Sequence, residues 1–320
     1  MIYTSGSLGA PKRVIHSTNN HIYSAKGLLE IIPFTQGDKW LVSLPFYHVS
    51  GLSLLWREEM GGGTLIYPQR DITLIQNIRD ADISHISLVE SQLYSLLKNP
   101  LNKDILKHMK AIIVGGGPLP LSLWQKAKEW ELPVYTTYGL TEMASSTTLS
   151  SRTIIHEKSY HSGKTLNYRK IYIDADMSIF VKGKTLFMGF EEKEWFKTGD
   201  AGFFDADNNL HIIGRQDNMF ISGGENIYPE EIEKNLLNIE GVDAAVVVAT
   251  ADIKYGHRPR AFIKTNKDLD SLRRSLPDQL ANVLPKFKIP TDFHPWPKNY
   301  PNTHLKIDRP FFNNIDIIST

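Results

Sequence analysis

The sequence predicts an α/β protein: a mostly parallel sheet with flanking helices, extended by an antiparallel β appendage and followed by a small α+β C-terminal domain. Three changes of pattern along the 320 residues lead there. Up to about Gly139, short apolar runs alternate with longer amphipathic stretches. From about Ser150 to Gly214, strand-like pieces follow one another with turn residues between them. After "GRQDN" helical and strand-like segments alternate again over about a hundred residues, a domain-sized length. The expected division is 1–214 and 215–320.

In the first region the strands are "WLVSL" (40–44), "TLIYP" (64–68), "HISLV" (85–89), "AIIVGGG" (111–117) and "PVYTTYG" (133–139). Between them "HIYSAKGLLEII", "ITLIQNIRDAD", "SQLYSLLKN" and "LSLWQKAKEW" carry helical spacing. Strands separated by helices imply parallel pairing, with ligands at the carboxyl ends of the strands. "KIYIDA", "SIFVKG" and "LHIIGR" are the strands of the appendage. The last region reads as a helix opening at Pro229, strands "DAAVVVA" and "RAFIKT", a helix from Asp268 to Leu284, and a strand near Phe293.

Composition narrows the function. A net charge of +1 argues against a nucleic-acid binder driven by phosphate neutralisation, which would carry a basic excess. The absence of cysteine removes disulfide frameworks, thiolate nucleophiles and thiolate metal sites. No apolar run approaches the roughly 18 residues of a membrane span, and no leader precedes the first motif. The expectation is a soluble, cytoplasmic protein with small-molecule partners.

Chemistry concentrates in a few places. "TSGSLGAPK" offers hydroxyls and backbone N–H groups from Thr4, Ser5, Gly6, Ser7 and Gly9, with the cation Lys12 at its end: a polyphosphate cradle by composition. It is not a Walker loop, because Ala10 and Pro11 separate Gly9 from Lys12, and alone it reads equally well as a surface turn. "YGLTE" (138–142) follows a strand, "KTGD" (197–200) follows the antiparallel region, "GRQDNMFISGGENIYPEEIE" spans 214–233, and "HLKIDR" carries Lys306. "HEKSYH" is one residue too long for a HExxH zinc motif, and neither GxGxxG nor GxSxG occurs.

Taken in this order, the motifs resemble those of the adenylate-forming superfamily, which includes acyl- and aryl-CoA ligases, adenylation domains of peptide synthetases, and luciferases. The resemblance runs over essentially the whole chain. Stretches such as "SAKGLLEIIPF", "SLPFYHVSGLSLLWR", "SLVESQL" and "YGHRPRA" are most similar to the CoA ligases of menaquinone biosynthesis, whose aromatic acid bears two carboxylates. It implies ATP and Mg²⁺ activating a carboxylic acid as acyl-AMP, with coenzyme A as the acceptor.

By resemblance, Ser5, Gly6, Ser7, Gly9 and Lys12, with Thr4 at their edge, hold the β- and γ-phosphates. Thr141 faces the α-phosphate, and Glu142 holds Mg²⁺, a hard cation that takes carboxylate and phosphate oxygens. Adenine lies between Gly115, Gly116, Gly117 and Pro118 on one side and Tyr138 and Gly139 on the other. Asp200 accepts the ribose hydroxyls, as an acceptor-only side chain should, with Arg215 beside it. Lys306 is the adenylation catalyst, a cation where two anions meet. Asp217 is the pivot about which the mobile small domain turns after adenylation, bringing Gly223 and Gly224 to the pantetheine channel. His48 sits at the mouth of the acyl and pantetheine tunnels. Arg57, nine residues beyond His48, supplies the cation for a second carboxylate, although a surface arginine beside Glu58 and Glu59 is the plainer alternative; Ser91 is a weaker candidate for the pocket wall.

Two departures stand out. The family pattern has Thr where this chain has Leu8, which removes a hydroxyl donor from the cradle. Family members also carry a sizeable portion ahead of the loop, so the resemblance implies an N-terminally truncated large domain, with apolar surface that a homo-oligomer would cover. The alternatives left open are a different aryl or medium-chain acid, or a catalytically impaired homologue that binds nucleotide or a partner.

Overall fold

A computed structural model describes residues 1–4, 12–117, 119–152, 160–190, 194–300, 308–313 and 315. The chain divides into two compact units, Met1–Leu119 with Leu123–Ile212, and Pro120–Ser122 with Ile213–Thr320.

In the first unit five parallel strands lie in the spatial order Thr64–Ile66, Lys39–Leu41, His85–Leu88, Ala111–Val114, Val134–Thr136. All four residues of both His85–Leu88 and Ala111–Val114 are buried, the continuous burial of a sheet covered on both faces. The predicted runs overshoot the strands at their carboxyl ends, where the chain leaves the sheet to build loops: "AIIVGGG" stops pairing after Val114, and Gly116 turns to φ +87°. Helices Thr18–Leu29 and Val49–Gly61 pack together, burying Leu28 and Leu54 with Trp40, Ala111 and Ile113. The first helix starts where it does because Ser17 and Asn20 form a capping box: Ser17 Oγ accepts from Asn20 N at 3.2 Å and Asn20 Oδ1 accepts from Ser17 N at 2.8 Å.

The appendage is a four-stranded antiparallel sheet, Arg169–Ile173, Ser178–Gly183, Phe196–Phe204 and Leu210–Arg215, ordered as in the sequence. One expectation changes here. "KTGD" does not follow the antiparallel region; Lys197–Asp200 lies inside the third strand, nine residues long. The glycine and the polar residues Lys197, Thr198 and Asp200 hid it, because they break the apolar alternation of the strand. Ile179, Val181 and Leu210 of this sheet close over Met143, with Tyr138 and Leu140 against them.

In the second unit Ala244–Asp252 pairs antiparallel with Gly256–Lys264, which pairs parallel with Asp292–Pro295. Period-two alternation separates its two cores. Ala245 and Val247 pack with Ile232, Leu236, Leu276 and Leu280, while Val246 and Val248 pack with Phe262 and Phe312. Pro229 occupies the first turn of helix Pro229–Leu236, and Asp268 Oδ2 caps helix Leu269–Ala281 by accepting from Ser271 N at 2.9 Å. Among the described residues no helix is long and apolar enough to cross a membrane.

Candidate active site

The carboxyl ends of the central strands bring together several of the predicted residues, Gly115–Gly117, Tyr138, Gly139, Thr141 and Glu142. Gly115 N donates to Leu88 O at 3.1 Å and Thr137 N to Val114 O at 3.0 Å, so the loops after three neighbouring strands leave side by side. A Cβ on Gly115 would lie 2.7 Å from Thr137 Cγ2, whereas one on Gly117 would meet none of the described residues within 4 Å. Glycine at 115 thus lets two loops touch.

Tyr138 and Asp200 meet directly: Tyr138 Oη donates to Asp200 Oδ2 at 2.5 Å, across 62 residues of sequence. Thr198 ties the backbone at Asp200 to the neighbouring strand, its Oγ1 accepting from Asp200 N at 3.0 Å and donating to Ile179 O at 2.9 Å. Beyond Tyr138, Gly139–Leu140 pairs with Ser145–Ser146, and a single 3₁₀ turn, Thr141–Met143, closes the hairpin. A Cβ on Gly139 would lie 2.6 Å from the Ser145 carbonyl oxygen, so only glycine permits this tight pairing. Thr141 and Glu142 are half-buried at its tip.

The strands flanking residues 5–11 pair antiparallel, with Thr4 opposite Lys12. Lys12 Nζ lies 5.2 Å from the ring centre of Phe196 and 5.7 Å from that of Phe187. Ser5, Gly6, Ser7, Leu8, Gly9, Pro118 and Lys306 lie outside the described residues.

His48 is exposed at the N-terminus of helix Val49–Gly61, 4.6 Å from the Tyr47 ring. Arg57, on the same helix, is 3% exposed, so it is not the surface residue that its acidic neighbours suggested. Its Nη1 is 3.4 Å from Ser87 Oγ and its guanidinium 4.8 Å from the Trp40 ring centre. Among the described residues no carboxylate pairs with it, and burial pulls its pKa down to about 9. Ser91 is exposed on the first turn of helix Glu90–Leu97; the hydroxyl that reaches Arg57 belongs to Ser87.

Sequence reasoning missed three contributors. Ser87 was readable as the one hydroxyl in the apolar strand "HISL". Arg169, 5% exposed, donates from Nη2 to Ser24 O and Ser24 Oγ at 3.1 Å, and Ser24 Oγ donates to Ala144 O at 2.7 Å behind the Thr141–Glu142 turn. Burial, then repulsion from Arg57, pulls Arg169 down to about 9 against a weaker pull from Glu30. His16 Nε2 contacts Thr141 O at 2.8 Å. No motif marks Arg169 or His16, because each acts across more than a hundred residues.

In the second unit Gly223 and Gly224 are the two-residue turn of a hairpin, Phe220–Ser222 with Glu225–Ile227, at φ +59° and +91°. Both positive values demand glycine. Arg215 ends its strand and pairs with Asp217, in the next turn, at 2.9 Å. Arg309, three residues beyond Lys306, is held bidentately by Glu233 at 2.5 and 3.0 Å, and its Nη2 lies 3.4 Å from Glu230.

An aromatic face beside an acceptor-only carboxylate, a turn bearing a hydroxyl and a second carboxylate, and a lysine beyond a Gly/Ser-rich segment together suit a nucleoside triphosphate. Glu142 offers Mg²⁺ one hard oxygen ligand, the phosphates supplying more. A separate groove of about 330 Å³, lined by Asn20, Tyr23, Lys184, Phe187 and Met188 among others, contains none of the predicted site residues.

The chain belongs to the AMP-binding enzymes: that family model matches residues 1–189, and the model of the AMP-binding enzyme C-terminal domain matches residues 231–305. It is similar to the 2-succinylbenzoate–CoA ligase of Bacillus subtilis strain 168, with 33% identity over 314 residues, 92% of this chain and 64% of the relative. The chain thus spans just under two thirds of that enzyme's length. Among solved structures, it superposes on the o-succinylbenzoate CoA synthetase of Bacillus subtilis in complex with the acyl-adenylate intermediate OSB-AMP at a TM-score of 0.82, with 33% identity, covering 92% of this chain and 64% of that one. The same enzyme in complex with ATP and magnesium ion gives a TM-score of 0.81, with 33% identity, 92% and 65% covered.

Proposed function

We propose that this chain activates a carboxylic acid with ATP and transfers the acyl group to coenzyme A, and that the acid is 2-succinylbenzoate. The observation that carries the reading is the cluster at the carboxyl ends of the strands, Tyr138 bonded to Asp200 with Thr141 and Glu142 on the adjoining turn. Complexes of the similar Bacillus enzyme with ATP and magnesium and with the acyl-adenylate support it.

In the first step an acid oxygen attacks the α-phosphorus; the bond to the bridging oxygen breaks and pyrophosphate leaves. Tyr138 and Asp200 hold the nucleoside, with Gly115–Gly117 and Arg215 beside it, while Lys12 and the residues 4–9 segment hold the outer phosphates. Glu142 would hold Mg²⁺, which screens phosphate charge. Thr141 meets the α-phosphate, and Lys306 offsets the charge that develops as two anions approach. In the second step the thiol sulfur of coenzyme A gives up its proton to solvent and attacks the acyl carbon, the acyl–oxygen bond to the phosphate breaks and AMP leaves, with His48 at the entrance, Gly223–Gly224 lining the approach and Asp217 as pivot.

Arg57 supports the choice of acid. A buried guanidinium without a carboxylate costs several kcal/mol, and the second carboxylate of 2-succinylbenzoate offsets that cost when it binds. The test is ATP–pyrophosphate exchange with a panel of acids. Exchange strongest with 2-succinylbenzoate is expected; exchange only with monocarboxylic acids would replace the substrate, and none with well-folded protein would favour a homologue that binds nucleotide without turnover.

A further inference from the structure

Three ties join the strand after the phosphate loop to the Thr141–Glu142 turn. Met188 N donates to Ile15 O at 2.8 Å, and Phe187 N donates to Glu142 O at 2.8 Å, so consecutive residues of one segment grip both sides. The third tie is the contact between His16 Nε2 and Thr141 O. A carbonyl only accepts, so Nε2 carries the proton, and Nδ1 is buried with no partner among the described residues. Protonating Nδ1 would bury a second N–H with nothing to receive it, in keeping with a pKa lowered chiefly by burial.

The His16 ring is braced from behind. It lies 4.8 Å from the His21 ring, which stacks on Trp56 at 5.6 Å and 2° between planes. Trp56 belongs to helix Val49–Gly61, the helix that carries Arg57. On the far side the turn is pinned at Ala144 O by Ser24 Oγ, and Ala144 sits at φ +53°, a left-handed conformation that costs a non-glycine residue about 1 kcal/mol or more. A strained turn tied at Thr141, Glu142 and Ala144 holds one position.

We propose that His16 is a positioning residue: its Nε2–H holds the Thr141 carbonyl and thereby fixes the spacing between Lys12, four residues before it, and the turn carrying Thr141 and Glu142. The inference rests on the reading that Lys12 meets the outer phosphates while Thr141 and Glu142 meet the α-phosphate and Mg²⁺. A triphosphate bridging the two groups would feel a change in their separation, whereas an acyl-adenylate, which has no outer phosphates, would not.

Two variants separate positioning from packing. His16→Phe keeps a ring against His21 but loses the donor; His16→Gln loses the ring but keeps an N–H donor of similar reach. The expected result in ATP–pyrophosphate exchange is a KM for MgATP raised roughly tenfold in His16→Phe, the loss of one hydrogen bond to a half-buried carbonyl, with His16→Gln close to the unaltered protein. Thiolysis of supplied acyl-adenylate should proceed at the same rate in both. The opposite pattern, His16→Phe unaffected and His16→Gln impaired or unfolded, overturns the proposal, as does equal loss of both half-reactions. Glu142→Gln, run alongside, tests the underlying reading: if its Mg²⁺ dependence of exchange is unchanged, the assignment of the turn falls whatever His16 does.

Discussion

Arg309 in the second unit is largely covered and Arg57 and Arg169 in the first are buried, yet their surroundings are opposite. Arg309 meets both oxygens of Glu233, donates to Val247 O at 2.5 Å, and has Glu230 within 3.4 Å. Glu233 in turn accepts from Val247 N at 2.6 Å, while Glu230 also accepts from Asn218. Burial opposes the charge of Arg309, but these carboxylates outweigh it and raise its pKa. Arg57 has one long contact to a hydroxyl and an aromatic face; Arg169 has carbonyls and a hydroxyl, with its Nε unsatisfied. Neither forms an ion pair with a carboxylate among the described residues, and the two repel each other. A buried cation whose counter-ions are built in anchors structure. One that meets no carboxylate among the described residues suits the anion that the proposed function brings from outside.

That difference can be broken by substitution. The largest effect belongs to Arg309→Met, which strands the buried Glu233 and should destabilise the second unit by about 3–5 kcal/mol in denaturant unfolding. Little or no loss would remove the anchor.

Acid is the next lever. Burial holds the pKa values of His21 and His85 at about 4, from an ordinary 6.5; like-charge repulsion from His16 adds to the effect at His21, while Asp38 partly opposes it at His85. The fold therefore prefers both rings neutral. Their contribution is complete above pH 6.5 and is lost as pH falls from 6.5 toward 4, by at most about 1.4 kcal/mol per pH unit for each ring. Unfolding midpoints measured across that window should fall with acid, and His21→Gln with His85→Gln should flatten the slope; an unchanged slope would contradict the burial.

The smallest effect on stability is expected where the cations meet no carboxylate among the described residues. Arg57→Leu and Arg169→Met should each leave the unfolding free energy within about 1 kcal/mol of the unaltered protein, or raise it, because the apolar replacement removes an uncompensated charge. Since the two repel, the double variant should gain less than the sum of the singles. A loss as large as that of Arg309→Met from either substitution would erase the comparison.

Much of this was legible in the sequence, for reasons that differ by element. The five parallel strands were readable as apolar runs because both faces of the sheet are covered, and Pro229 and Asp268 marked where two helices begin. "KTGD" was readable as a motif but not as a strand interior, since its glycine and polar residues break the apolar alternation. Arg57 was picked out as a cation for the second carboxylate of the acid that the resemblance implies; its burial was not readable, because Glu58 and Glu59 beside it suggest a solvated face. Arg169, Ser24 and His16 were invisible for a common reason. Their partners are set by the packing of the appendage and the helices around the Thr141–Glu142 turn, which no local pattern encodes.

The most direct test is the KM for 2-succinylbenzoate in ATP–pyrophosphate exchange, compared between Arg57→Leu and the unaltered protein. Loss of a charge-assisted hydrogen-bonded contact predicts an increase of roughly ten- to a hundredfold, with the KM for MgATP unchanged. An unaltered KM for the acid would contradict the account, and Arg57 would then be a buried cation with no anion to receive.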